Sequence, residues 1–167
     1  SSSARLEPVR MDGRPGLLVA FEGTADLHYY ARPETAPSPG LQLKVEAAAA
    51  GMAFGPAEFP PWQPFVDSSG KSVEAYAGDF RVFVPFQDAP AGATEVTVRI
   101  RGLACTSQLC LPPFDKTLTT ALDPSTAATW TQLTPPPATA AAPPVVPSGA
   151  AIYYYLLAVV AGISINV

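Results

Sequence analysis

Two cysteines are the side chains in this sequence best suited to chemistry, and they lie close together. Cys105 and Cys110 are the only cysteines of the chain and are separated by four residues, in the stretch ACTSQLCLPP. A disulfide needs its Cα atoms about 4.4–6.8 Å apart, whereas five extended residue steps span roughly 16–17 Å. A paired chain must therefore fold back, and the small or polar Thr106, Ser107 and Gln108 suit such a turn.

Three kinds of chemistry are open to this pair. A structural disulfide is common in exported domains, but a six-residue ring contributes only about 2 kcal/mol through loop entropy. A disulfide that opens and closes is the second possibility. A metal site is the third, although zinc needs three or four ligands and the sole histidine, His28, is distant in sequence. No ligand spacing or nucleophile motif accompanies His28, so we expect no metal and no cofactor.

The charged residues are confined to one part of the chain. All lysines, arginines, aspartates and glutamates lie between Arg5 and Asp123, and the net charge is −4. No basic cluster is present, which argues against a nucleic-acid partner because phosphate binding needs clustered Lys and Arg. The change in composition predicts that the folded unit ends between Asp123 and Leu133.

The charged part alternates between apolar and polar residues as antiparallel strands do. The clearest stretches are LQLKVEA from Leu41, DFRVFVPF from Asp79 and TEVTVRIRG from Thr94. Weaker candidates are residues 17–21, 26–30, 73–76, 117–122 and 129–133. The best helical candidate, VEAAAAGMAF, is short, and Gly/Pro clusters separate the segments. We therefore predict an all-β fold, an immunoglobulin-like antiparallel β-sandwich of seven to nine strands, with the cysteines at a strand–turn–strand corner.

The uncharged C-terminal part divides into two segments. Residues 134–149 are rich in proline and alanine, which predicts an extended linker because proline fixes φ and lacks a backbone donor. Residues 150–167 form an apolar run that begins near three tyrosines, as expected for the start of a truncated transmembrane helix. The predicted organisation is an immunoglobulin-like redox domain over residues 1–133, the Pro/Ala linker over 134–149 and the truncated start of a transmembrane helix over 150–167. A buried element of the globular domain is the alternative for the last segment.

Several motifs together resemble the periplasmic N-terminal domain of DsbD, the transmembrane thiol–disulfide interchange protein. The motif ACTSQLCLPP is similar to that family's cysteine pair, which ends a strand and precedes Pro-Pro. DLHYYA resembles its early strand, and GKSVEAYAGDFRVFVP resembles the segment after its cap loop. YYYLLAVVAGISINV, after the linker, resembles the beginning of the first helix of the family's membrane domain. The resemblance covers essentially the whole chain.

The resemblance implies a fold, a function and a location. The fold is immunoglobulin-like, and the location is the periplasmic face of the bacterial inner membrane. The activity is protein-disulfide reduction by one domain of a larger membrane protein. Electrons arrive from the membrane domain and the thioredoxin-like domain of the same protein, and pass to thioredoxin-like periplasmic proteins. These acceptors are a disulfide isomerase and the thioredoxin of cytochrome c maturation.

The resemblance also assigns roles to particular residues. Cys110 is expected to attack and Cys105 to resolve the mixed disulfide. His28 and Tyr30 are expected to line the pocket around the sulfurs. The family's capping aromatic falls on Ser68 here, so Phe65, three residues earlier, is the alternative cap.

A different class of function remains open from the sequence. The same features would suit a non-catalytic, membrane-tethered β-sandwich that acts as a binding or spacer module and carries a structural disulfide. For each pocket residue, ordinary packing is the corresponding alternative: Phe65 in the core, and His28 with Tyr30 as an aromatic pair on a strand face.

Overall fold

The computed structural model describes residues 2–134, which form twelve β-strands and one short 3₁₀ helix. The strands are β1 (Ser3–Met11), β2 (Arg14–Glu22), β3 (His28–Tyr30), β4 (Lys44–Ala49), β5 (Ala53–Phe54), β6 (Gln63–Val66), β7 (Ser72–Ala77), β8 (Phe80–Asp88), β9 (Thr94–Gly102), β10 (Ala104–Cys105), β11 (Phe114–Leu122) and β12 (Thr131–Leu133). The helix spans Pro124–Thr129, and Asp123 caps it by accepting a hydrogen bond from the Ser125 backbone.

The strands form three sheets. A five-stranded sheet has the order β12-β1-β2-β8-β5, a four-stranded sheet the order β10-β3-β7-β6, and a three-stranded sheet the order β11-β9-β4. The pairs are antiparallel except β1 and β12, which run parallel. Two backbone hydrogen bonds join the smaller sheets: Leu43 N donates to Tyr30 O at 2.8 Å, and Leu103 N donates to Leu41 O at 3.1 Å. The two smaller sheets therefore act as one layer.

The main core lies between that layer and the five-stranded sheet. Its buried side chains come from all three sheets, as the alternating pattern predicts for strands with one face inward. They are Leu17, Val19, Phe21, Leu27, Tyr29, Leu43, Val45, Tyr76, Val82, Val84, Val96, Val98, Ile100, Ala104 and Leu122. The predicted all-β immunoglobulin-like sandwich is confirmed.

A second buried group, here called the site cluster, lies beside this core. It consists of Tyr30, Val73, Leu103 and Cys105, with Ala36, Leu41 and Phe65 packed against it. Strands β3, β7 and β10 of the four-stranded sheet thus bring one cysteine into an apolar environment. The site cluster is the part of the fold that positions the chemistry.

The outer face of the five-stranded sheet carries a third buried group, formed by Val9, Leu18 and Phe83. Gly16 makes it possible, because a Cβ at that position would lie 2.3 Å from the Phe83 ring. The Arg14 guanidinium lies 5.4 Å from the centre of the same ring and holds the Glu58 carboxylate through two hydrogen bonds of 2.7 and 2.8 Å. This sheet is therefore buried on parts of both faces.

Most predicted strands have an observed counterpart, and the differences have local causes. The β1 strand was missed because Pro8 lies inside it, and proline in a run argues against a strand. The alanine-rich stretch that was the best helical candidate forms most of β4 and all of β5 instead, because Val45 is buried in the main core and β4 pairs with β9. Twelve strands are observed where seven to nine were predicted, because four have no predicted counterpart. The strands β1 and β6 contain a proline, and β5 and β10 have only two residues each.

The predicted linker and membrane segment fall almost entirely outside the described residues, which end at Thr134. The domain boundaries proposed from composition stay predictions for that reason. Within residues 2–134, no helix combines the length and the apolar composition needed to cross a bilayer.

Candidate functional site

Cys105 is positioned by a short strand. It ends β10, which pairs with β3 so that Cys105 lies opposite His28 in the register. Its side chain is fully buried in the site cluster. Because residues paired in register lie on the same face of a sheet, Cys105 and His28 are cross-strand neighbours.

Cys110 lies on the far side of a tight turn and forms a disulfide with Cys105, with Cα atoms 3.9 Å apart, closer than the usual range of about 4.4–6.8 Å. Two backbone hydrogen bonds flank the pair: Thr106 N donates to Leu109 O at 2.7 Å, and Leu111 N donates to Ala104 O at 2.9 Å. The cysteines are thus a directly opposed antiparallel pair of the type without its own hydrogen bonds, in which side chains approach closely. The predicted strand–turn corner is confirmed.

The two cysteines differ sharply in exposure. Cys105 is fully buried, whereas Cys110 lies in an exposed stretch that begins at Ser107. Pro112 and Pro113 follow Cys110. Because proline has no backbone donor, the chain after Cys110 does not continue as a strand beside β10. A partner sulfur can therefore approach at residue 110 and not at residue 105.

The turn between the cysteines is held by two side chains. Thr106 Oγ1 accepts hydrogen bonds from the backbone nitrogens of Gln108 at 3.2 Å and Leu109 at 3.1 Å. Asp26 Oδ1 accepts one from Ser107 N at 3.1 Å. The role of Asp26 is not recognisable from the sequence, because its link to the turn spans 81 residues and leaves no local signal.

Phe65 reaches the site from the neighbouring hairpin of β6 and β7. Its ring stacks on His28 with centroids 3.8 Å apart and packs against the site cluster. In the register, Ala77 lies beside His28 and Ala75 beside Tyr30. These small side chains leave room for the Phe65 ring to cross β7.

Ser68 lies in the turn of the same hairpin and is exposed. Asp67 holds that turn, because its Oδ1 accepts hydrogen bonds from Ser69 N at 2.8 Å, Ser69 Oγ at 2.6 Å and Lys71 N at 3.1 Å. These bonds hold the pKa of Asp67 below its usual range. Of the two residues considered as caps, the structure places Phe65 against the site cluster.

His28 and Tyr30 are both fully buried and lie on one face of β3. Their rings meet edge to face with centroids 5.6 Å apart. Burial lowers the pKa of His28, partly opposed by Asp26 and Asp67, because the charged imidazolium loses hydration. Burial raises the pKa of Tyr30, with Asp67 adding to the effect. Both rings are therefore neutral near pH 7.

Exposed apolar side chains surround Cys110. Leu109 and Leu111, its two neighbours in the chain, are 53% and 45% exposed. Leu111 and Pro112 also line an apolar cavity of about 340 Å³ that extends to Ala104 and Phe114. Large exposed apolar residues beside a reactive group are typical of a docking surface for another protein.

The described residues, 2–134, contain no group of side chains arranged as a metal site. Among residues 2–134, no three His, Cys, Asp or Glu side chains converge as metal ligands would. Both cysteine sulfurs are engaged with each other.

The fold and the site define a class of protein: a β-sandwich with a disulfide at a strand end, one cysteine buried and the other exposed. Thiol–disulfide exchange needs this asymmetry, since one sulfur must be reachable and the second must resolve the intermediate. The profile of the family described as thiol:disulfide interchange protein DsbD, N-terminal, matches residues 12–122. The match covers more than half of the chain, so the chain belongs to this family, and its function is thiol–disulfide exchange with partner domains.

One solved structure agrees with this assignment at the level of the fold, and a second was found to be similar. The reduced form of the Neisseria meningitidis DsbD N-terminal domain is 15% identical, covers 72% of this chain and 84% of its own, and superposes with a TM-score of 0.50. The complex between the DsbD N-terminal and PilB N-terminal domains of N. meningitidis is 16% identical over 71% of this chain and 80% of that one, with a TM-score of 0.49. No curated protein matches the sequence significantly.

Proposed function

We propose that this chain is the electron-transferring domain of a larger membrane protein and acts as a protein-disulfide reductase at the periplasmic face of the bacterial inner membrane. Electrons reach it from a membrane module and a thioredoxin-like domain of the same protein. It passes them to thioredoxin-like periplasmic proteins, such as a disulfide isomerase or the thioredoxin of cytochrome c maturation. Family membership supports the exchange chemistry, and the composition of residues 134–149 and 150–167 supports a linker and a membrane anchor.

The observation that carries the proposal is the difference between the two cysteines. In the dithiol form, the exposed Cys110 thiolate attacks the partner's disulfide, forms a mixed disulfide and releases one partner thiol. Cys105 then attacks the sulfur of Cys110, which releases the second partner thiol and restores the Cys105–Cys110 bond. Two electrons and two protons have then passed to the partner. A buried Cys105 can resolve this intermediate but is poorly placed to start the reaction.

The surroundings of the disulfide fit this sequence of steps. Leu109 and Leu111 flank Cys110 and supply apolar contact area for a partner. Phe65 acts as the cap, since it packs against the site cluster and lies on a hairpin at the edge of its sheet. While the hairpin is in place, it would keep small thiols away from the disulfide. When a partner displaces the hairpin, the partner's sulfur would gain access.

Trapping of the mixed disulfide tests the proposal. A thioredoxin-like protein that retains only its nucleophilic cysteine, activated as a thionitrobenzoate mixed disulfide, is mixed with the reduced single-cysteine variants. Cys105→Ala should form a covalent complex on a non-reducing gel at least about tenfold faster than Cys110→Ala, because only Cys110 is exposed. Equal and slow trapping by both variants, together with a wild-type disulfide that thioredoxin-family reductants cannot reduce, would contradict the proposal.

A further inference from the structure

His28 has a position that packing alone does not explain. It is the only histidine of the chain, is fully buried, and lies opposite Cys105 in the β3–β10 register. The Phe65 ring stacks on it at 3.8 Å. An imidazole therefore stands between the cap and the buried sulfur.

In the disulfide form, neither ring nitrogen of His28 makes a hydrogen bond of normal geometry with residues 2–134, although the Asp26 backbone lies near enough to raise its pKa. A buried polar atom without a good partner destabilises the fold, whereas an apolar ring would fill the same space without that penalty. Cross-strand Cβ atoms lie about 4.5–5.5 Å apart, so the ring is within reach of the sulfur of Cys105. A thiol at residue 105, present only after reduction, would give the imidazole the partner it lacks.

The charges around His28 keep the imidazole neutral and hence able to accept a proton. Burial is the largest influence and lowers its pKa, while Asp26 near the start of β3 and Asp67 after β6 act in the opposite direction. Its register partner on β7, Ala77, is uncharged. Tyr30, on the same face of β3, is held neutral by its raised pKa.

We propose that His28 is the base for the second half of the exchange reaction, an inference that rests on the proposed function. Cys105 must lose its proton to attack, and the apolar site cluster disfavours a free thiolate. His28 takes this proton as the sulfur of Cys105 bonds to the sulfur of Cys110. The bond between Cys110 and the partner breaks, the partner leaves as a thiolate, and the proton passes from the imidazolium to that thiolate. The step needs no further oxidant or reductant.

The reaction of the reduced chain with dithiobis(nitrobenzoate) separates the two halves of the exchange reaction, the attack by Cys110 and the attack by Cys105. Attack by Cys110 releases one coloured thionitrobenzoate at a rate that depends on the reagent concentration. Attack by Cys105 on the resulting mixed disulfide then releases a second thionitrobenzoate at a rate that is independent of the reagent concentration. Thionitrobenzoate leaves without needing a proton, so the second phase reports the deprotonation and attack of Cys105.

The variants are His28→Gln, which keeps a polar side chain, and His28→Phe, which keeps a ring for Phe65. The matched control is Tyr29→Phe, which removes a buried polar group from the opposite face of the same strand. At pH 7 we expect the second phase of both His28 variants to be about tenfold slower or more, with the first phase within twofold of the control. The difference should shrink at high pH, where hydroxide can deprotonate the thiol without help from the imidazole.

Three outcomes decide the matter. A second phase of the His28 variants within twofold of the control at pH 7, or equal slowing of both phases, overturns the role of His28. A wild-type chain that releases only one thionitrobenzoate overturns the proposed function itself.

The unaltered chain gives an independent readout, because its single histidine can be followed by NMR. The ring nitrogen shifts should differ between disulfide and dithiol forms and should follow thiol ionisation at high pH, and identical shifts would overturn the proposal.

Discussion

At the scale of single residues, the chemistry depends on how differently the fold treats two identical side chains. Cys105 ends a strand whose neighbours supply Tyr30 and Leu103 as apolar contacts, whereas Cys110 follows the turn and faces solvent. A covalent bond joins a buried sulfur to one that a partner can reach. The proposed attack by Cys110 rests on this difference, because a partner can reach only the exposed sulfur and because apolar burial disfavours the thiolate of the other.

Phe65 is the residue whose loss should expose the disulfide. In Phe65→Ala the ring that stacks on His28 is absent, so we expect dithiothreitol to reduce the oxidised chain several-fold faster than it reduces wild type. Val66→Ala is the control, since Val66 is the next residue of β6 and is 60% exposed. Stopped-flow measurement of reduction at a fixed thiol concentration checks this. Equal rates for all three proteins would remove Phe65 from the role of cap.

His28 should make stability depend on pH. Its folded pKa lies below the unfolded value of about 6.5, so the unfolded chain binds a proton more readily. The resulting stability is fully present above pH 6.5 and is lost as the pH falls, by at most about 1.4 kcal/mol per pH unit. Urea denaturation between pH 7 and pH 5 measures this effect.

His28→Phe should abolish the slope in that window. Carboxylates with lowered pKa values, such as Glu58 and Asp67, contribute only at more acidic pH because both their folded and unfolded pKa values lie lower. A wild-type free energy of unfolding that is constant from pH 7 to pH 5 would contradict the burial of a neutral imidazole.

At the scale of elements, the cysteine turn is tied to the rest of the sheet by a residue from elsewhere in the chain. Asp26, just before β3, accepts a hydrogen bond from Ser107 in the turn, and β3 itself pairs with β10. The turn and the strand that carries His28 are thus connected twice. This arrangement keeps Cys110 directly opposite Cys105.

Asp26→Ala should loosen this turn. The loss of the hydrogen bond to Ser107 N should cost about 1 kcal/mol locally and speed hydrogen exchange of that amide by roughly fivefold or more. The amides of Gln108 and Leu109, which bond to Thr106, should change much less. Asp26→Asn keeps an acceptor oxygen and serves as the control. Exchange at Ser107 that is the same in all three proteins would show that the bond does not hold the turn.

At the scale of the whole molecule, the disulfide closes only a short ring, and the sandwich has other means of holding itself together. The main core takes side chains from all three sheets, and Cys105 belongs to the separate site cluster. Hydrogen bonds on both sides of the cysteine pair already hold the corner. The fold can therefore tolerate both redox states.

Reduction of the disulfide should lower the free energy of unfolding by no more than about 2 kcal/mol, the loop-entropy value for a six-residue ring. Near-UV circular dichroism should show that the reduced chain keeps its tertiary packing. Guanidinium denaturation of the oxidised and reduced forms checks the magnitude. A loss of most of the stability, or of the near-UV signal, would favour the alternative of a structural disulfide in a binding module.

The sequence was sufficient for the cysteine pair, the turn between its members and the all-β class, because these depend on local spacing and on the alternation of apolar residues. It also indicated His28, Tyr30 and Phe65 as candidates through resemblance to a family. It did not indicate Asp26, and it left Ser68 and Phe65 as competing caps. Distant contacts leave no periodic pattern in a single chain, so such choices need coordinates.

By itself, the sequence determined that two sulfurs could meet at the end of a strand in a β-sandwich. Only the tertiary structure decided that Cys105 is buried and Cys110 exposed, and that the imidazole of His28 lies between the cap and the buried sulfur. The physical reason is that burial and cross-strand proximity arise from the pairing of β3, β7 and β10, segments far apart in the chain.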